Sequence, residues 1–202
     1  MDAAAEDWPA RFFRHLETER RLSPQTIKSY RRDIDSLVTW CDGAAVRSWE
    51  AVDGEDLRNW SAQCYRRGLS ARSIQRQLSA TRSFFKYLVR EGALTANPAS
   101  GVSAPRAKKR LPGNLDADRM ARLLEIDGEG PLVDRDRAIL ELFYSSGLRL
   151  SELGGLDLYD VDLADATARV TGKGGKDRIV PVGREARRAL GTWLKARAAL
   201  AD

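Results

Sequence analysis

Histidine is almost missing from this 202-residue sequence, with His15 the only one. A histidine-rich metal site is therefore impossible, and a histidine-centred catalytic triad is disfavoured. Cysteine is nearly as scarce. Cys41 and Cys64 have no CxxC spacing and fall within helical apolar patterns, which predicts buried free thiols rather than a disulfide or a metal site. No window approaches 18 consecutive apolar residues, so no transmembrane helix is expected. The opening stretch MDAAAEDWPARFF is acidic and lacks the basic and apolar regions of a signal peptide. The expectation is a soluble, cytoplasmic protein that uses no metal.

Charge is plentiful and unevenly spread. Residues 1–110 hold 20 Lys+Arg against 13 Asp+Glu, whereas residues 111–202 hold 14 against 16, within a chain of net charge +5. A basic first half suits contact with a polyanion, nucleic acid above all. The alternative is an arginine content that simply follows a GC-rich genome.

The first half reads as four helices. WPARFFRHLETER places Trp8, Phe12 and Leu16 on one face. Ser23 caps a second helix with Pro24 in its first turn and Ile27, Tyr30, Ile34, Leu37, Val38 and Cys41 on its apolar side, ending near Gly43. Asp53 and Asp56 open a third, which buries Leu57, Trp60 and Cys64 and stops at Gly68. Ser70 caps a fourth, with Ile74, Leu78, Phe84, Phe85 and Leu88 inward and Gly92 at its end. Together they predict a small bundle over residues 1–94.

Its polar faces are basic. The fourth helix carries Arg72 and Arg76 one turn apart and then Arg82, Lys86 and Arg90 at successive i,i+4 positions; the second adds Lys28, Arg31 and Arg32. Like charges at this spacing repel by a few tenths of a kcal/mol per pair, which a phosphate backbone would relieve. A merely solvated face is the other reading, and no side chain can be assigned to a base edge from spacing alone. Residues 95–114, TANPASGVSAPRAKKRLPGN, have no apolar periodicity but hold Arg106, Lys108, Lys109 and Arg110, and read as a basic linker, either lying along a polyanion or solvated.

In the second half, Asp116 caps a helix through Leu124. DRDRAILELFYSSG predicts another that buries Ala138, Ile139, Leu142 and Phe143 and ends at Gly147, and Ser151 reads as the N-cap of a short helix containing Glu152, Leu153 and Leu156. Arg149 falls at this junction. It either donates a guanidinium to an anion beside the N–H groups of the second helix, or pairs with Glu152 or caps carbonyls near Ser146. TARV and RIVPV then flank the glycine-rich TGKGGKD, a predicted β-hairpin with Lys173 and Lys176 at or near its tip. A phosphate-binding P-loop is excluded, because Asp177 follows Lys176 and a strand rather than a helix comes next. A lysine there either protonates a leaving alkoxide or keeps the turn soluble.

In this order, LSPQTIKSYRRDI, SSGLRLSELGGLDLYDVDL and VTGKGGKDRIVPV resemble the tyrosine recombinases, the integrase-like DNA breaking and joining enzymes, through the whole chain. Within that family they are similar to the Xer subgroup, nearer its XerC branch than its XerD branch. The resemblance implies a mainly α fold: a four-helix SAM-like core-binding domain, a linker over 95–114, and the first half of a mixed α/β catalytic domain with a β-hairpin over 115–202. It places Arg149 at the family's first catalytic arginine, Lys173 at its hairpin lysine, and Glu152 at the acidic residue that supports the arginine. It implies a 3′-phosphotyrosyl intermediate and chemistry without metal or nucleotide, since the energy of the broken phosphodiester is kept in the protein link. The implied partners are a double-stranded recombination site, an XerD-like recombinase in a heterotetramer, and a division-linked DNA translocase. The implied task is conversion of chromosome and plasmid dimers to monomers.

The family pattern also contains a His-x-x-Arg motif, a later His or Trp, and a nucleophilic tyrosine, all beyond the hairpin. None of Tyr30, Tyr65, Tyr87, Tyr144 and Tyr159 matches that nucleophile, and His15 matches no catalytic position. The expectation is a chain that is catalytically incomplete alone, with the apolar face of its last helix, Ala186, Leu190, Trp193 and Leu194, suited to packing against further sequence. The competing readings are the integrase of a mobile element and a DNA-binding remnant without catalysis.

Overall fold

The computed structural model describes residues 3–106, 113–172, 174–198 and 200. The chain divides into two compact units, Met1–Arg110 and Leu111–Asp202.

The first unit is built from α1 (Ala3–Thr18), α2 (Pro24–Gly43), α3 (Gly54–Arg66) and α4 (Ala71–Arg90), with a single 3-10 turn at Trp49–Ala51. The caps are local chemistry. Ser23 Oγ accepts the Thr26 N–H, Ser70 Oγ the Ser73 N–H, and Asp53 the N–H groups of Glu55 and Asp56 while Asp56 returns a carboxylate to Asp53 N–H. The apolar faces then converge on one core containing Phe12, Ile34, Leu37, Leu57, Ile74 and Leu78. Aromatic rings fill its centre: Phe84 lies 4.8 Å from Trp49 and 5.4 Å from Phe12 between ring centroids, both edge to face. Both cysteines are buried and free, as their apolar periodicity predicts. Burial and nearby Asp56 push the Cys41 thiol up to about 12, so it stays a protonated packing group.

Half of the stretch read as linker belongs to this core. Ala99 and Val102 are buried there. Arg82 donates to their carbonyls, through Nε to Ala99 and through Nη2 at 2.6 Å to Val102, and Asn97 Nδ2 donates back to the carbonyl of Arg82. The segment lacks helical periodicity because it is an irregular strap, its backbone bonded by the side chains of Arg82 and Asn97 and by turn bonds from Ser100 N–H to the Asn97 carbonyl and from Val102 N–H to the Ala99 carbonyl.

The second unit runs α5 (Ala117–Leu124), α6 (Pro131–Ser146), the one-turn α7 (Leu150–Leu153), β1 (Val161–Asp162), β2 (Thr167–Thr171), β3 (Asp177–Pro181) and α8 (Arg184–Ala198). The strands form an antiparallel sheet in the order β1-β2-β3. The predicted hairpin is β2–β3, in register Thr171 to Asp177 and Val170 to Arg178, and the short β1 extends it. Ala168, Val170 and Val180 point to a core completed by Leu142, Leu148 and Ala186. Ile139 is not buried as expected but lies at the surface, 36% exposed. It borders a groove of about 250 Å³ together with Leu142, Leu153, Leu190, Trp193 and Leu194. The inner edge of α8 is thus covered by its own unit, Ala186 and Ala189 being buried, while its outer apolar residues line this groove.

Candidate functional site

Gly147 ends α6 in the left-handed region at φ 58, and its N–H returns to the carbonyl of Phe143. The chain turns there, buries Leu148, and presents Arg149 in extended conformation as the residue that caps α7. Arg149, not Ser151, takes the N-cap position, and the reason is Glu152: its Oε2 reaches back to accept the Arg149 N–H at 2.8 Å. That bond also changes the expected anion chemistry of the turn. The Glu152 carboxylate already occupies the cap N–H, and a single helical turn has little dipole to offer, so a bound anion must be held by the guanidinium.

Glu152 is the hub. Its side chain is 1% exposed, whereas that of Arg149 is 70% exposed. Oε1 accepts from Arg149 Nη1 at 2.8 Å and from Arg178 Nη1 at 2.6 Å, while Oε2 accepts from Arg178 Nη2 at 2.9 Å as well as from the Arg149 N–H. All four acceptor positions of the carboxylate are used, two by a forked Arg178. The pairing reading of Arg149 therefore holds: one guanidinium nitrogen bonds Glu152, and the side chain is otherwise largely exposed.

The hairpin root abuts the same carboxylate. A Cβ added to Gly172 would sit 3.4 Å from Glu152 Oε1, 3.4 Å from Arg178 Nη1 and 3.5 Å from the carbonyl of Lys176. The turn beyond is tied by Gly172 N–H to the Lys176 carbonyl at 2.8 Å, and Gly174 and Gly175 supply its positive φ angles of 81 and 70. Lys176 is exposed on it. Lys173 follows Gly172 directly but lies outside the described residues, as do Lys108, Lys109 and Arg110.

Arg178 went unread in the sequence. Its signal was the strand alternation in DRIVPV, where Arg178 shares a face with the buried Val180; an arginine at an inward strand position calls for a carboxylate.

Hydrogen bonding by Arg178, then by the N–H and guanidinium of Arg149, holds Glu152 far below the ordinary value of 4.5. Because the folded value is depressed, the stabilisation is fully present above 4.5 and is lost as pH falls below it. Thermal midpoints of the second unit should therefore drop between about pH 5.5 and pH 3. Glu152→Gln should flatten that drop, and an unchanged slope in the variant would assign the acid sensitivity to other groups.

The described DNA-backbone candidates of the first unit sort into two groups. Lys28, Arg31, Arg32, Arg72, Lys86 and Arg106 are exposed, with the Arg31 guanidinium 4.3 Å over the ring of Phe13. Three others have internal work that spacing did not reveal. Arg76 bonds the buried Asp33 and the Ser29 carbonyl, Arg82 holds the strap, and Arg90 bonds Glu91 at 2.8 Å beside His15 and Tyr87. The repulsion along the α4 stripe is thus relieved inside the unit at these positions, and does not require a phosphate there. His15, its side chain 10% exposed, stacks on Tyr87 at 5.2 Å and has Nδ1 2.9 Å from a carboxylate oxygen of Glu19.

Two family profiles match this chain: "Phage integrase, N-terminal SAM-like domain" over residues 10–92 and "Phage integrase family" over residues 113–202. The chain belongs to the phage integrase family. Its sequence is XerC-like. It is 50% identical over 185 residues to tyrosine recombinase XerC of Pseudomonas syringae pv. tomato, a match covering 91% of this chain and 62% of that protein. Against XerC of Pseudomonas aeruginosa LESB58 it is 48% identical over 188 residues, covering 93% and 62%. The chain thus spans less than two thirds of the length of these curated relatives. Among solved structures, a lambda integrase tetramer bound to a Holliday junction matches with TM-score 0.72 at 19% identity, covering 93% of this chain and 55% of that one. The Tn1549 transposon integrase in complex with a circular intermediate DNA matches with TM-score 0.72 at 16% identity, covering 93% and 65%. These likenesses establish the integrase fold, as the SAM-like bundle and the hairpin-bearing second unit require. Among the described residues no helix is long and apolar enough to cross a membrane, and no group of His, Cys, Asp and Glu is arranged for a metal ion.

Proposed function

We propose that residues 1–202 are the DNA-grasping portion and the arginine-lysine portion of the phosphate site of a site-specific, XerC-like tyrosine recombinase. The observation that carries this reading is Arg149: 70% exposed, yet fixed at its backbone and at one guanidinium nitrogen by a buried carboxylate. A cation held this way is preorganised for an anion from outside the chain. The 50% identity with XerC supports a scissile phosphodiester as that anion and supports the Xer reading over a mobile-element integrase.

In this reading Arg149 stabilises charge on the non-bridging oxygens, Glu152 orients Arg149, and Lys173 protonates the leaving 5′-oxygen. The nucleophile is a tyrosine outside these 202 residues, which forms a 3′-phosphotyrosyl link that a second strand's 5′-hydroxyl later displaces. Lys28, Arg31, Arg32, Arg72, Lys86 and Arg106, with Lys108, Lys109 and Arg110, supply phosphate-backbone contacts; residues 1–94 with the strap through Val102 serve as DNA-binding domain, the rest of 95–114 as connector and 115–202 as catalytic portion. The complete protein acts in the cytoplasm with an XerD-like partner as a heterotetramer on a recombination site. A division-linked translocase controls it, and it resolves chromosome and plasmid dimers before segregation.

A duplex titration by fluorescence anisotropy at two salt concentrations tests the reading. Each phosphate contact contributes a slope of about −0.9 in log affinity against log salt, so even three to five contacts predict a slope of roughly −3 to −5. Affinity independent of salt would refute DNA binding. With a nicked suicide substrate this chain should give no denaturation-resistant adduct, and a stable adduct would place the nucleophile among its five tyrosines.

A further inference from the structure

We infer that Arg178 is a positioning residue of the phosphate site, acting through buried Glu152 to fix the Arg149 turn against the root of the β2–β3 turn at Gly172. The inference rests on the proposed reading of Arg149 as a phosphate ligand, and it adds a residue to which neither the spacing nor the family resemblance gave a role.

Three observations carry it. First, the partners come from three separate places in the chain. Arg149 and Glu152 lie on α7 and its cap, Arg178 on β3 lies 26 residues beyond Glu152, and a Cβ added to Gly172, just past the end of β2, would lie 3.4 Å from Glu152 Oε1. Among the described residues Glu152 bonds both arginines and borders Gly172.

Second, the bonds differ in kind. Arg178 spends Nη1 and Nη2 on the two oxygens of Glu152, a forked pair that fixes the carboxylate plane, whereas Arg149 gives one guanidinium nitrogen and its N–H. With that plane fixed, the Arg149 backbone is held at one oxygen and its guanidinium at the other. A lysine at 178 would keep the charge but offer a point donor in place of the fork.

Third, the cluster is net positive only with Arg178 present. One carboxylate between two guanidinium groups leaves the cluster net positive, and the surplus lies on the more exposed cation, Arg149, whose side chain is 70% exposed against 38% for Arg178. Removing Arg178 would leave Glu152 and Arg149 as a neutral pair. The carboxylate would then draw the guanidinium inward, and the site would lose its net attraction for a phosphate as well as its geometry.

The test uses this chain with Arg178→Met, Arg178→Lys, Arg149→Met and the Met/Met double variant, each checked for a cooperative melt. Hydrogen exchange without DNA is the first readout. In Arg178→Met the Arg149 amide should exchange at least about tenfold faster, while amides paired between Ala168 and Val180 keep their protection. Arg178→Lys should fall between, and it also serves if the methionine variant does not fold. An Arg149 amide unchanged in both variants overturns the inference whatever DNA does.

Duplex affinity is the second readout. Arg149→Met and Arg178→Met should each weaken binding several-fold, and the double variant should be no weaker than Arg149→Met alone, with partial rescue by Arg178→Lys. Additive losses would make Arg178 an independent phosphate contact and overturn its positioning role. If Arg149→Met leaves affinity unchanged, the phosphate reading of Arg149 fails, and the exchange result still decides whether Arg178 sets the turn.

Discussion

Phe84→Ala should destabilise the helical unit by about 3–5 kcal/mol, the range for truncating a fully buried aromatic. Phe84 has no exposed surface and makes ring contacts with Phe12, Trp49 and Phe85. These neighbours come from α1, from the 3-10 turn and from α4 itself, so no single element can shift to fill the space left behind. The edge-to-face geometry of the Phe12 and Trp49 contacts is lost along with the buried area. Chemical denaturation followed by tryptophan fluorescence reads the change directly, since Trp49 abuts the truncated ring. A loss below about 1 kcal/mol would mean that the core relaxes into the cavity and is not fixed by this cluster.

Arg76→Met should be nearly as severe. Asp33 is 2% exposed, and burial already pushes its carboxyl above the ordinary value, against the opposing pull of Arg76. Removing the guanidinium leaves a buried carboxylate without its ion-pair partner. The cost for a wholly buried pair is about 3–5 kcal/mol; because Arg76 is itself 42% exposed, roughly 2–3 is expected here. Asp33→Leu combined with Arg76→Met removes both charges, and should recover most of the loss, since apolar replacement of a buried pair is often neutral or better. Urea denaturation of the single and double variants separates these outcomes. A double variant as unstable as Arg76→Met would show that packing of the arginine stem, rather than the stranded charge, is responsible.

That same residue shows what helical periodicity leaves open. Arg76 shares a polar face with Arg72 one helical turn away, and periodicity cannot distinguish an arginine that only faces outward from one that also reaches 43 residues back to Asp33. Arg82 is a similar case: its partners Ala99 and Val102 lie in the strap, and a segment without regular structure shows no period. Glu152 was placed beside Arg149 correctly, three residues being one helical turn. Its second partner, Arg178 on β3, lies 26 residues away, beyond the reach of helical spacing.

The sequence by itself determined the helices, the β2–β3 hairpin and their order, and set Arg149 one helical turn from Glu152. Caps, turns and apolar periods are decided within a few residues, and the ordered motifs are specific to the integrase family. Only the tertiary structure decided which charges are spent inside the protein. Asp33 with Arg76, the Arg82 strap and the Glu152 hub each join residues 17 to 43 positions apart. Such partners meet only when the chain folds back on itself, and the physical reason for each pairing is burial: a carboxylate or carbonyl removed from water must find a donor wherever the fold brings one.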